Sequence, residues 1–173
     1  MAVREIVTLP APILRHKARP VTEFGTELQT LINDMVDTMR EAPGVGLAAP
    51  QVDVPLRLIV VEYSEEDEDE DKEVPPKLYV VVNPEITRFS SDDEIGTEGC
   101  LSIPGYAGDV ERPLAVTIKG LNRRGQPLKI KAEGWLARIF QHEIDHLDGV
   151  LFIDRAEKVW KHEGQTSQAS VSE

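Results

Sequence analysis

The clearest sign of chemistry in this sequence is the pentapeptide His142-Glu143-Ile144-Asp145-His146, which has the pattern HExxH. On a helix, residues four apart lie on one face with their Cβ atoms about 5–6 Å apart, so the two imidazoles can bind one metal ion. Glu143 lies about 100° further around the helix, where it can reach a water beside the metal. This arrangement is typical of a metallohydrolase. Because so short a pattern also occurs by chance on polar helix faces, the rest of the chain has to decide.

A catalytic zinc-type site needs a third protein ligand and one open position. In the extended pattern HExxHxxGxxH the third ligand would fall at Phe152, and a phenyl ring cannot bind a metal. A zinc endopeptidase with a ligand farther downstream would have to use His162, Glu163 or Glu173, all in a polar tail. The endopeptidase is kept as the alternative hypothesis.

An upstream candidate for the third ligand is Cys100, the only cysteine of the chain, in the segment Glu98-Gly99-Cys100-Leu101-Ser102. A thiolate is a strong ligand for a borderline-soft divalent cation. A free cysteine is equally common as a small buried hydrophobe. Position in the sequence does not choose between these two interpretations.

Three segments together resemble the signature motifs of the peptide deformylase family, and they occur in the family's order. The segments are Gly44-Val45-Gly46-Leu47-Ala48-Ala49-Pro50-Gln51, Glu98-Gly99-Cys100-Leu101-Ser102 and Gln141-His142-Glu143-Ile144-Asp145-His146. One such match could be accidental, whereas three intact matches in order are highly specific. The resemblance covers roughly residues 3–160.

The resemblance implies a metal-dependent hydrolysis that removes the formyl group from N-formylmethionyl nascent peptides and releases formate. It implies that Cys100, His142 and His146 bind one divalent ion, which in this family is typically Fe²⁺, with Ni²⁺, Co²⁺ or Zn²⁺ as working substitutes. Glu143 would accept a proton from the attacking water and return it to the leaving amine. A protein that only binds metal is disfavoured, because binding alone needs neither Glu143 nor Gln51.

The resemblance also assigns roles around the metal. The side-chain amide of Gln51 and the backbone N–H of Leu101 would stabilise the oxyanion. The backbone of Gly46 would bond the substrate main chain, and Val45 would line the methionine pocket. Glu98 is a candidate for holding a neighbouring ligand in place, although an exposed loop charge is the competing interpretation.

The elements that must position these residues follow from hydrophobic periodicity. Apolar residues recur at helical spacing from Leu28 to Met39, and Pro43-Gly44 ends that helix. A second helix should follow Gly134, carry HExxH and stop at Asp148-Gly149. Pro12 is expected to open a short helix near the start of the chain.

Short apolar runs rich in β-branched residues predict strands at 57–61 and 78–82, the second stopped by Asn83-Pro84. Residues 114–118 and 128–130 predict a hairpin, and residues 151–153 a further strand. The order of elements favours an α+β fold with mostly antiparallel sheets packed around a central helix that carries HExxH.

Composition limits the setting in which the protein works. The 173 residues carry a net charge of −12, of which the run from Glu65 to Glu73, with eight acidic residues and one lysine, contributes −7. We interpret this run as a solvated loop, and the overall acidity argues against direct nucleic-acid binding. The first residues lack a secretory signal and no apolar run could span a membrane, which predicts a cytoplasmic protein.

The sequence predicts one catalytic domain over residues 1–160, followed by a polar, disordered tail over 161–173. The expected partner is the N-formylmethionyl nascent peptide, so a transient ribosome contact is the remaining partner hypothesis. No membrane partner is expected.

Overall fold

The computed structural model describes residues 2–64 and 74–162. Three α-helices and eight strands are present in this part of the chain, with short 3-10 helices at Pro12–Arg15 and Ala49–Val52. In chain order the elements are α1 (Thr26–Glu41), β1 (Gly46–Ala48), β2 (Leu58–Tyr63), β3 (Lys77–Phe89), β4 (Asp93–Cys100), β5 (Ile103–Pro113), β6 (Ala115–Leu121), β7 (Pro127–Glu133), α2 (Gly134–Leu147), α3 (Phe152–Arg155) and β8 (Lys158–Lys161).

The strands form two antiparallel sheets. One has five strands in the order β1-β2-β3-β6-β7, and the other has three in the order β4-β5-β8. The helix α2 packs against β1, β2, β6 and β7 of the larger sheet and against β5 of the smaller one. The predicted α+β fold with antiparallel sheets around the helix that carries HExxH is therefore confirmed.

The larger sheet is covered on both faces by helices. Side chains alternate along β2, so Leu58 and Val60 join the hydrophobic cluster around α1, while Ile59 and Val61 join the cluster around α2. The apolar stripe of α1 is buried as its periodicity predicted. A third, smaller cluster lies beneath the three-stranded sheet and contains Cys100.

The strand predicted to stop at Asn83-Pro84 continues through these residues to Phe89, so that boundary was wrong. The pairing of β3 with β6 shifts register between Val82 and Glu85, which is where a bulge admits a proline. Asn83 has a positive φ of 52°. Its side chain accepts the N–H of Val21 and donates to the carbonyl of the same residue.

The strand predicted at residues 151–153 was also wrong, because the chain there forms the single turn α3. The carboxylate of Asp154 accepts the backbone N–H of Leu151 at 2.8 Å and so closes the turn. The turn places the Phe152 ring in the interior, stacked on His142 with 6.2 Å between ring centroids.

The ends of the described chain bear on two further expectations. Lys161 is the last residue of β8, and the N–H of His162 donates to the carbonyl of Gly105, so ordered structure passes the predicted domain boundary at residue 160. The acidic run at residues 65–73 and the tail beyond residue 162 lie outside the described residues. No helix within the described ranges is both long and apolar enough to cross a membrane.

Candidate metal centre and active site

The end of β4 and the middle of α2 bring one cysteine and two histidines together. Cys100 is the last residue of β4, and His142 and His146 lie one turn apart on α2. Their potential ligand atoms all lie within 4.8 Å of one another. The Sγ of Cys100 is 3.4 Å from Nε2 of His146. All three side chains are buried, with at most 2% of the surface of each residue exposed.

The donor set fits a metal ion. The Nδ1 of His142 is engaged by Glu98, and its other ring nitrogen, Nε2, is buried without a hydrogen bond to any residue that the structure describes. A buried polar atom in this situation needs a partner of another kind. Thiolate and imidazole are the usual ligands of zinc and related divalent cations in proteins, and three of them leave a fourth position for water or substrate.

Glu98, on the three-stranded sheet, contacts the metal cluster, by which we mean the side chains of Cys100, His142 and His146. This fully buried carboxylate contacts Nδ1 of His142 at 2.9 Å. Arg112 donates to both of its oxygens, at 2.6 and 2.9 Å, and Arg138 donates to one of them at 2.7 Å. Arg112 also donates to Asp145, one residue before His146. Glu98 is thus a buried carboxylate that orients a histidine, not an exposed loop charge.

Burial and charged neighbours shift the pKa values of the two histidines in opposite directions. Burial opposes a charge on His142, but interactions with Cys100 and Glu98 outweigh it and raise the pKa to about 10. Burial and the positive charges of His142 and Arg112 lower the pKa of His146 well below its ordinary value. Burial opposes ionisation of Glu98, yet its bonds with His142 and Arg112 hold the pKa of this carboxyl far below its usual range.

Glu143 follows His142 on α2, is fully buried and lies against the backbone of β1. A Cβ atom placed on Gly46 would approach the Oε2 of Glu143 to 2.6 Å. Real Cβ atoms essentially never come so close to another heavy atom, so position 46 has to be a glycine for the carboxylate to stay where it is.

Gln51 reaches the cluster from the 3-10 helix that follows β1. Its Oε1 accepts the backbone N–H of Ala48 at 3.0 Å. Its Nε2 lies 3.7 Å from the sulfur of Cys100 and donates to the hydroxyl of Ser102 at 3.1 Å. The first and second motifs therefore meet through side chains that are fully buried.

Four further residues lie around this cluster. Val45 and Trp135 are partly buried against the core around α2. Leu101, half-buried, follows Cys100 in the tight connection between β4 and β5, and its side chain lies next to Gly44. Arg138 lies over the Trp135 ring and pairs with the carboxylate of Glu98.

Sequence reasoning missed Arg112 and Ser102. Arg112 gave no signal because its contact with Glu98 depends on the pairing of β4 with β5. In that pairing Arg112 lies opposite Glu94, and Glu98 lies opposite Gly108. Ser102 belongs to a motif that was recognised, but nothing in its type or spacing indicated a bond to Gln51. The downstream ligand candidates do not join the site: His162 follows β8 outside the metal cluster, and Glu163 and Glu173 lie outside the described residues.

Comparison with known proteins gives one consistent result. The sequence model of the polypeptide deformylase family matches residues 3–162. A peptide deformylase of Natranaerobius thermophilus is 47% identical over 163 residues, which cover 94% of this chain and 98% of the relative.

Solved structures are similar over nearly the same range. A crystal structure of a peptide deformylase from Legionella pneumophila matches with a TM-score of 0.79 and 49% identity, covering 90% of this chain and 87% of that one. A class I type b peptide deformylase from Acinetobacter baumannii, crystallised with Met-Ala-Ser bound, matches with a TM-score of 0.80 and 40% identity, covering 89% and 98%.

Proposed function

The chain belongs to the polypeptide deformylase family and removes the formyl group from the amino terminus of nascent peptides. We propose that it does so with one divalent metal ion held by Cys100, His142 and His146. The observation that carries this proposal is the meeting of these three buried side chains within 4.8 Å, beside Glu143 and Gln51. When bound, the ion supplies Lewis acidity, which makes water a nucleophile near neutral pH and polarises a carbonyl group.

For the ion itself we propose Fe²⁺, with Ni²⁺, Co²⁺ or Zn²⁺ as substitutes. A thiolate with two imidazoles suits each of these cations, so ligand chemistry alone allows all four. Elemental analysis of protein purified without oxygen tests the assignment. One iron per chain is expected, and stoichiometric zinc under those conditions would contradict it.

Glu143 is the proposed proton carrier. Its carboxylate takes a proton from water as the water oxygen bonds to the formyl carbon. The same proton then passes to the amine nitrogen as the carbon–nitrogen bond breaks, which yields formate and a free amino terminus. Burial of Glu143 beside the backbone of Gly46 limits its motion and keeps it at one place for both transfers.

We assign oxyanion stabilisation to the side-chain amide of Gln51 and the backbone N–H of Leu101. The formyl oxygen gains negative charge when water adds, and donors fixed in advance stabilise that charge without reorganising. Support comes from the position of Gln51 Nε2 near the Cys100 sulfur and from the place of Leu101, directly after that residue.

The substrate main chain is proposed to run along β1, one of the two edge strands of the five-stranded sheet, and to bond the backbone of Gly46. Val45, partly buried against the apolar core, would line the pocket for the methionine side chain. Met-Ala-Ser, the tripeptide bound in the Acinetobacter baumannii relative, is the deformylated form of such a substrate.

We propose further that the protein works in the cytoplasm on N-formylmethionyl nascent peptides, with transient ribosome contact and without direct nucleic-acid binding. We also propose that the predicted catalytic domain over residues 1–160 forms a single unit with the end of β8, and that the polar tail predicted over residues 161–173 has no part in the chemistry. Both three-stranded and five-stranded sheets contribute residues to the site, which supports a single unit.

The test compares two tripeptides. Formyl-Met-Ala-Ser should yield formate and Met-Ala-Ser, whereas acetyl-Met-Ala-Ser should react far more slowly because its extra methyl group must enter a space sized for hydrogen. Products are identified by mass spectrometry together with a formate assay. Internal cleavage fragments without formate would instead favour the zinc endopeptidase, which nothing in the family assignment supports.

A further inference from the structure

Hydrogen bonds at both ends fix the orientation of the Gln51 amide. The backbone N–H of Ala48 can only donate, so the Gln51 atom 3.0 Å from it must be the carbonyl oxygen. The amide nitrogen then lies at the other end, 3.1 Å from the hydroxyl of Ser102 and 3.7 Å from the sulfur of Cys100. The end of Gln51 that carries donors therefore faces the metal cluster.

Ser102 is held in place as firmly as Gln51. Both residues are fully buried. The N-terminal segment, residues 2–9, holds their backbones side by side. The N–H of Val7 donates to the carbonyl of Gln51 at 2.8 Å, and the N–H of Leu9 donates to the carbonyl of Ser102 at 2.9 Å. The hydroxyl of Ser102 thus occupies a fixed place relative to the amide it accepts from.

We propose that Ser102 is a positioning residue for deformylation: its hydroxyl oxygen accepts one Nε2 hydrogen of Gln51 and so aims the amide at the formyl oxygen. This inference rests on the proposed function of Gln51. An amide nitrogen carries two hydrogens: one bonds Ser102, and the other, which faces the Cys100 sulfur at 3.7 Å, is the one that we assign to the oxyanion formed beside that residue. The last torsion of glutamine is broad, so without the hydroxyl the amide samples other orientations and the donor is no longer preorganised.

Replacing Ser102 by alanine deletes a single oxygen atom and adds no bulk. With formyl-Met-Ala-Ser as substrate, Ser102→Ala should lower kcat about 10-fold and change KM less than about two-fold, because the lost interaction acts on the transition state. Bound metal should stay stoichiometric. Loss of metal from this variant would overturn the proposal, since the hydroxyl would then support the metal ligands.

A double-mutant cycle separates positioning from a general structural role. If the hydroxyl acts through the amide, Ser102→Ala lowers kcat no further in a Gln51→Ala background. An equal loss of kcat in both backgrounds would overturn the proposal. If Gln51→Ala alone leaves kcat unchanged, the proposed oxyanion role fails and this inference with it. If Gln51→Ala is slow and Ser102→Ala is normal, only the role of Ser102 fails.

Ser90→Ala is the matched control. The half-buried hydroxyl of Ser90, after β3, donates to the carbonyl of Asp92 and accepts the N–H of Ala115, at a place outside the metal cluster. This variant should lower the thermal unfolding midpoint and leave kcat unchanged. A kcat loss in Ser90→Ala equal to that of Ser102→Ala would show that the loss of any serine hydroxyl has the same effect, and would overturn the proposal.

Discussion

At the residue scale, separate side chains hold the metal and move the proton. Cys100, His142 and His146 form the proposed ligand set, while Glu143 lies beside it on another part of the α2 surface. Glu143→Ala should therefore keep stoichiometric metal and lower kcat by about 10² to 10⁴-fold, the usual contribution of a general base. Metal analysis and turnover of formyl-Met-Ala-Ser are measured on the same preparation. A variant that loses its metal would contradict the separation.

The glycine at position 46 is explained by the carboxylate that packs against it. In Gly46→Ala the new methyl group would meet Oε2, Cδ and Cγ of Glu143 at 2.6 to 2.9 Å, so the carboxylate has to move. A displacement of about 1 Å can cost about 100-fold in rate, and we expect a kcat loss of that order with metal retained.

Gly25→Ala provides the control for this substitution, because a Cβ at Gly25 meets nothing within 4 Å. It should leave kcat unchanged. If Gly46→Ala raises KM alone, position 46 acts through the substrate backbone and not through Glu143.

The sequence could predict the site residues only where residue type and motif order carry the information. The HExxH pattern predicts two metal ligands and a general base because a single helix fixes the spacing of the three residues. Arg112 could not be found this way, since it reaches Glu98 across an antiparallel pair whose register is set by packing. Ser102 lay within a motif, but its partner Gln51 is 51 positions away in the chain.

At the element scale, a buried ion pair and hydrogen bonds from Arg138 hold α2 against the three-stranded sheet. Arg138 on α2 donates to Glu98 and to the carbonyls of Val110 on β5 and Glu94 on β4. Removing one member of a buried ion pair typically costs about 3–5 kcal/mol, because the remaining charge stays buried. Since Arg112 still neutralises Glu98, we expect Arg138→Met to lower the free energy of unfolding by about 3 kcal/mol.

Arg155→Ala is the comparison for Arg138→Met. The Arg155 side chain is 49% exposed and pairs with Asp145, so its removal should cost at most about 1 kcal/mol. Urea denaturation of both variants at neutral pH would measure the two losses. Equal losses in the two variants would show that burial of the Glu98 network adds no stability.

Predictions at the element scale succeeded where periodicity ran uninterrupted, as in α1 and α2. They failed at Asn83-Pro84, where a bulge lets a strand accommodate a proline. They also failed at residues 151–153, because a run of three apolar residues suits a strand and a buried helical turn equally well.

At the scale of the whole molecule, the N-terminal segment ties α1 to the active site. One end bonds Asp34 and Thr38 of α1, and the other bonds the backbones of Gln51 and Ser102. Asp34 is 5% exposed and accepts the N–H of Ala2 and the Arg4 guanidinium. The hydrogen bond from Ala2 and then Arg4 outweigh burial and lower the pKa of Asp34 below its ordinary value of 3.8.

This shift predicts how stability responds to acid. A carboxyl whose pKa is lowered by folding stabilises the native state above its unfolded pKa, and the contribution is lost as pH falls through the folded value. Asp34→Asn should therefore destabilise the protein at about pH 6 and progressively less as pH falls below about 4. Urea titrations of both proteins across this range test it. A difference that does not change with pH would contradict the assignment to Asp34.

Strand β2 belongs to both large hydrophobic clusters, since its alternate residues face α1 and α2. Neither helix can separate from the sheet without exposing one side of the same four buried positions, residues 58–61. The two clusters should therefore be lost in one cooperative unit, and the amides of β2 should exchange with solvent deuterium only through global unfolding. Hydrogen exchange under native conditions should then find the slowest-exchanging amides of the protein in this strand. It pairs with β1, which contains Gly46 and leads into the 3-10 helix that contains Gln51.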